Sequence, residues 1–127
     1  MNQSERRNYL IQKLLEEQPQ YAKMQIPGRC EEQKMLLRSL MNIRMPGKIS
    51  KEFQQIQDAY LAEENAAKGV VTPADMEELS PEIYLWKGDI TRLQVGAIVN
   101  AANSGMTGCY QPCHNCIDNC IHVEIQQ

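Results

Sequence analysis

At 127 residues the chain is long enough for one domain with its own core, and its net charge of -3 argues against nucleic acid or a membrane surface held by bulk electrostatics. No apolar run approaches the roughly 18 residues that cross a bilayer. Five cysteines, an odd count, and a start (MNQSE) without a signal-peptide apolar stretch predict a cytoplasmic protein rather than a secreted disulfide framework.

In chain order, Ser4 can cap a first helix whose apolar positions Leu10, Ile11, Leu14 and Leu15 recur at helical spacing, with Pro19 ending it. A loop through Ile26, Pro27 and Gly28 leads to a second helix from about Glu31. There Met35, Leu36, Leu40 and Ile43 fall on overlapping faces before Pro46 and Gly47. A Met-containing face of this kind is read as core rather than as a partner groove. Ser50 caps a third helix with Phe53, Ile56, Tyr60 and Leu61 on one stripe. Lys68 and Gly69 close it with a cation and a C-terminal glycine, and Glu63, Glu64 and Lys68 read as a solvated face. Thr72, Pro73 and Asp75 predict a short helix to about Leu79, ended by Ser80 and Pro81.

After residue 80 the pattern changes to strands. Residues 83–86 and 96–99 are short and β-prone, the second apolar on both faces as a strand buried on both sides would be. The expected division is a helical part over 1–80 and an α/β part over 81–127.

Residues 100–122 concentrate the chemistry, holding four of the five cysteines and both histidines. Cys109, His114 and Cys116 form C-x4-H-x-C, two thiolates and an imidazole in a loop bent by Gly108 and Pro112, a donor set that suits zinc. Three ligands leave an open, catalytic position, whereas Cys113 or Cys120 as a fourth would close the shell and make the site structural. Two other readings stand beside these. Cys113 and Cys116 have redox C-x-x-C spacing before a helix, and small buried cysteines can simply pack a core.

The segment 85–122 closely resembles the zinc-containing macrodomains, a bacterial branch of the macrodomain family that removes ADP-ribose from modified proteins. Lys87-Gly88-Asp89-Ile90-Thr91 is similar to the family's G-D-I-T element, Asn100-Ala101-Ala102-Asn103-Ser104 to its N-A-A-N, and residues 108–119 to its zinc loop. The helical region over about 9–79 resembles the family's N-terminal extension. The resemblance implies an α/β fold: a helical extension followed by the start of a three-layer α/β/α macrodomain. Such a domain draws most of its central strands and a second phosphate loop from a second half, so the sequence reads as the truncated front portion of the enzyme. Activity is then a separate question from ancestry. Residues 123–127 also differ from the small, Ala- and Gly-containing continuation the family has there.

By the same resemblance, Asp89 accepts hydrogen bonds from the adenine amino group and the Ile90 backbone contacts the ring; Asp89 alone would read as a turn acid after Gly88. Asn100 and Asn103 follow the predicted strand over 96–99, where open α/β sheets place ligand contacts. Asn103 suits the distal ribose, since a carboxamide offers a donor and an acceptor to vicinal hydroxyls, while Asn100 could instead tie the loop backbone. Residues 117–122 resemble the V-D-G-x-I-H of related hydrolases, which puts Asp118 on the catalytic acid position and Cys116, Asp118 and Asn119 beside the diphosphate at a helix N-terminus. Asp118 could equally be a helix cap, and His122 a packed histidine. The implied function is a zinc-dependent hydrolase that acts on ADP-ribosylated protein. The alternatives are an ADP-ribose-binding module without catalysis, and a structural zinc or helical interaction protein.

Overall fold

The computed structural model describes residues 1–45, 47–100, 110 and 116–125, with the backbone alone for 122, 124 and 125. Four helices carry the fold: α1 (Gln3–Glu16), α2 (Cys30–Ile43), α3 (Lys51–Lys68) and α4 (Ile117–Ile125). A two-stranded antiparallel sheet, β1 (Glu77–Ser80) with β2 (Ile83–Leu85), lies between α3 and α4 in the chain. The architecture is mixed, helical with a small sheet, and compatible with the α/β class.

Helix α1 starts earlier than a Ser4 cap would allow. Asn2 is its cap: Asn2 Oδ1 accepts the Glu5 N–H at 2.8 Å and Glu5 Oε2 accepts the Asn2 N–H at 3.1 Å. That reciprocal pair satisfies two otherwise orphaned donors, which Ser4, with no acid three residues on, would not do. Leu10, Ile11, Leu14 and Leu15 are buried as expected, and the helix ends at Glu16 with Glu17 as its C-cap, just before Pro19.

In α2 the buried stripe is Leu37, Leu40 and Met41, with Leu36 and Ile43 partly buried beside it. Met35 is 66% exposed. At about 100° per residue it stands roughly 200° from Leu37, on the opposite side of the helix. Helix α3 follows its expected bounds. Ser50 Oγ accepts the Phe53 N–H at 3.1 Å, and Gly69 closes it with φ +88°, a conformation that side-chain-bearing residues rarely adopt.

Helix α1 packs against both α2 and α3, and α4 packs on α2. The core joins all four helices: Leu10, Ile11, Leu14, Leu15, Leu37, Leu40, Met41, Phe53, Tyr60 and, from α4, Val123. Polar ties reinforce it. Arg7 Nε donates to Gln33 Oε1 at 2.9 Å, and Gln3 Nε2 donates to the Tyr60 carbonyl at 2.9 Å.

The region after α3 departs from expectation twice. Thr72 opens only a single 3-10 turn (Pro73–Asp75), with the Thr72 N–H and hydroxyl both donating to Asp75 Oδ2 at 3.0 and 3.2 Å. The chain then extends into β1, because residues 77–80 find a pairing partner in 83–85 across a two-residue turn. Pro81 and then Glu82, at φ +67°, give that turn the order a type II turn demands. The predicted strand over 96–99 is also not a strand. Among the described residues nothing pairs with it, and Val99 is 95% exposed. A segment apolar on both faces becomes a strand only where neighbours complete its ladder.

Candidate functional site

The described candidate residues lie on three stretches: the turn at 89–92, Asn100, and the N-terminus of α4. Helix α4 packs against the 3-10 turn Ile90–Arg92, and so does the end of α3.

Asp89 starts that turn. Its Oδ1 accepts the Thr91 N–H at 3.0 Å and the Thr91 hydroxyl at 2.6 Å, so it is a turn acid as well as the residue matched to adenine recognition. Partial burial works to raise its pKa, but the hydrogen bonds from Thr91 and the charge of Lys68 outweigh it and hold the carboxyl below its ordinary value. Lys68 Nζ lies 3.7 Å from Asp89 Oδ2 and donates to Thr91 Oγ1 at 3.1 Å. The solvated-face expectation is therefore corrected for Lys68. It also gives way at Glu64, which takes Gln3 Nε2 at 3.1 Å and Lys34 at 3.4 Å. Gly88 has its own reason: a Cβ there would sit 2.5 Å from the Trp86 ring.

Ile90 is half-buried and lines a groove of about 410 Å³ between α3 and residues 90–98, whose walls include Leu61, Asn65, Leu93 and Ile98.

At the other end, Asn100 Nδ2 donates to Asp118 Oδ1 at 3.1 Å. This brings together two residues that sequence alone could only place on separate motifs. Asp118 is 6% exposed, and Asn100 Oδ1 is buried and accepts no hydrogen bond among the described residues. Cys116 precedes α4, with its Sγ accepting the Asn119 N–H at 3.4 Å and its carbonyl accepting the Cys120 N–H at 3.2 Å. The sulfur therefore sits against the N-terminal turn of α4.

Asn119 is fully buried and turned toward α2. Its Nδ2 donates to Asn42 Oδ1 at 3.1 Å, and Arg38 Nη2 donates to its Oδ1 at 3.0 Å. Cys120 Sγ lies 3.6 Å from the same guanidinium. Arg38 and Asn42 went unnoticed in the sequence. The signal was available, since both sit one position on from the buried Leu37 and Met41, a polar pair at i, i+4 inside an apolar stripe.

Asn103, Cys109, Cys113 and His114 lie outside the described residues, as does the side chain of His122. Among the described residues no three metal-type side chains converge. No described helix is long and apolar enough to cross a membrane.

No protein-family model matches the chain. The chain is 57% identical over 127 residues to a protein-ADP-ribose hydrolase of Treponema medium, covering 97% of this chain and 49% of that protein. It is 40% identical over 123 residues to a protein-ADP-ribose hydrolase of Staphylococcus aureus (strain MRSA252), covering 94% of this chain and 45% of that protein. A further 43 residues' match, at 65% identity, is to a probable bifunctional ADP-ribose hydrolase/ADP-ribosyltransferase of Fusarium oxysporum f. sp. cubense, over 33% of this chain and 7% of that one. The chain spans about half the length of the first two relatives. Along nearly all of its own length, then, it is a homologue of proteins named protein-ADP-ribose hydrolase.

Proposed function

We propose that the chain is part of a zinc-dependent macrodomain hydrolase that releases ADP-ribose from modified proteins. It would work in a reducing cytoplasm, where its thiols stay free. The observation that carries this reading is the Asn100–Asp118 hydrogen bond at the N-terminus of α4, with Cys116 at the same helix end. An acid, an amide and a metal-type sulfur meet at the N-terminus of a helix, the end whose dipole favours an anion.

Cys109, His114 and Cys116 are the residues that would hold zinc, and Cys116 fits this role. Its sulfur accepts a backbone N–H, the kind of outer contact that orients a thiolate ligand. Bound there, zinc would supply Lewis acidity beside the scissile bond. The chain's own residues do the rest. The Asn100 amide donates to Asp118 Oδ1 and so holds the carboxyl group in one orientation. That carboxylate takes a proton from the water that attacks the anomeric carbon, or orients the ribose hydroxyls. The C–O bond to the protein breaks, and the departing oxygen keeps the bond electrons and is protonated. Asn100 Oδ1, buried and without a donor among the described residues, would accept from a ribose hydroxyl. Asp89 would hold the adenine end, and Asn103 is the residue assigned by motif to the distal ribose.

The test is steady-state hydrolysis of an ADP-ribosylated peptide, with zinc measured on each variant. Asp118→Ala should lower turnover by about 10² to 10⁴ with zinc content unchanged, whereas Asp89→Ala should weaken binding and leave the saturated rate intact. Near-normal turnover in Asp118→Ala would reduce Asp118 to a helix cap.

A further inference from the structure

Lys68, on the helical part of the chain, belongs to the nucleotide-recognition apparatus: we propose that it acts through Thr91 as the positioning residue that aims the Asp89 carboxylate at an exocyclic amino group. This rests on the reading of Asp89 given above.

The donor inventory fixes the direction of the chain. An ammonium can only donate, so in the 3.1 Å contact Lys68 Nζ is the donor and Thr91 Oγ1 the acceptor. Thr91 has one hydroxyl proton, and it must go to Asp89 Oδ1 at 2.6 Å, where the Thr91 N–H also donates at 3.0 Å. One carboxylate oxygen is thereby committed twice to the turn. The other, Oδ2, faces Lys68 at 3.7 Å and stays partly open, the Asp89 side chain being 47% exposed. An ionised carboxylate with one fixed and one open oxygen accepts from an amino group and repels a ring carbonyl. Each hydrogen bond in such a chain polarises the next, so Lys68 strengthens the Thr91–Asp89 contact as well as neutralising charge.

Position, too, is held. Immediately after Lys68, the Gly69 carbonyl accepts Arg92 Nε at 2.9 Å, the Val71 N–H donates to the Arg92 carbonyl at 2.8 Å, and the Gln94 N–H donates to the Val71 carbonyl at 2.8 Å. These bonds clamp the end of α3 to the residues that follow Asp89 on both sides of buried Val71 and Thr91. The end of α3 that carries the lysine is therefore fixed to the turn through backbone bonds, with buried Val71 as its anchor.

The experiment has two arms on the full chain. Without ligand, carbon-detected NMR titration of the Asp89 carboxyl should show its pKa rising in Lys68→Met and Thr91→Val and returning in Lys68→Arg and Thr91→Ser. An unchanged Asp89 titration in Lys68→Met overturns the relay. With ligand, calorimetry compares ADP-ribose with inosine diphosphate ribose, which has a carbonyl in place of the amino group. Lys68→Met should lose most of the preference for ADP-ribose, about tenfold, the scale of one hydrogen bond to a charged group. A preference kept in Lys68→Met but lost in Asp89→Ala overturns the proposal and leaves Asp89 as the adenine acceptor. A preference kept in both variants, or absent from the parent, while the titration shifts, overturns the recognition role of Asp89 and with it the proposal.

Discussion

Removing the Asn119 carboxamide should loosen α4 from the rest of the protein. Asn119 and Asn42 are both fully buried, joined at 3.1 Å, and Arg38 adds a charged donor at 3.0 Å. Truncation to alanine gives up one neutral buried hydrogen bond, about 1 kcal/mol, and one to a charged partner, about 1.5–3 kcal/mol. Alanine's better helix propensity offsets roughly 0.5 kcal/mol, so the net loss is about 2–3.5 kcal/mol. Urea unfolding of parent, Asn119→Ala, Asn42→Ala and the double variant reads it directly, from the midpoint at constant slope. The cycle should show coupling between 42 and 119 of about 1 kcal/mol. An Asn119→Ala chain within about 0.5 kcal/mol of the parent, the range of ordinary surface changes, would refute the argument that this network docks the helix.

Two further outcomes follow from single residues. Cys116→Ser should abolish stoichiometric zinc, read by elemental analysis of the purified chain, and metal retained in full would remove Cys116 from the ligand set. Burial, followed by the charge of Glu64, pushes the Tyr60 hydroxyl up to about 12 against the lowering influence of Arg7. A raised folded pKa contributes stability that is complete below the unfolded value near 10 and is lost as pH rises through about 12. Chemical denaturation across that window should therefore show the parent falling faster than Tyr60→Phe, and parallel curves would mean that Tyr60 ionises as freely folded as unfolded.

The helices were legible in the sequence because each signal for them is local. Ser50 with Phe53, and the periodic Leu10, Ile11, Leu14 and Leu15, need nothing beyond their own turn of chain. What could not be read needed partners elsewhere. Residues 77–80 became a strand because 83–85 lay within reach to pair with them, and residues 96–99 failed to become one for want of a neighbour among the described residues. The site divides the same way. Asp89, Asn100, Asp118 and Cys116 carried motif signals and were singled out, and the structure joins two of them directly at 3.1 Å. Lys68 looked like any exposed lysine near a helix end, since its partner Thr91 is 23 residues away and no spacing rule connects them.

The helical part of the chain is what makes the two ends of the site a fixed pair. Helix α4 has nine residues, too few to hold itself together in water, so Asp118 depends on what α4 rests against. That is α2, through Val123 in the shared core and through Asn119 on Asn42 and Arg38, and also the turn Ile90–Arg92. Asp89 depends on α3 instead, through Lys68 and the bonds that join 69–71 to 92–94. Helices α2 and α3 each pack on α1, and the core they share with it is continuous. The spacing of Asp118 and Asp89 is therefore set by packing among α1, α2 and α3, none of which carries either residue, together with the direct contact of α4 with the turn Ile90–Arg92. A core substitution such as Leu14→Ala, remote from both acids, should for that reason disturb ligand affinity as well as stability.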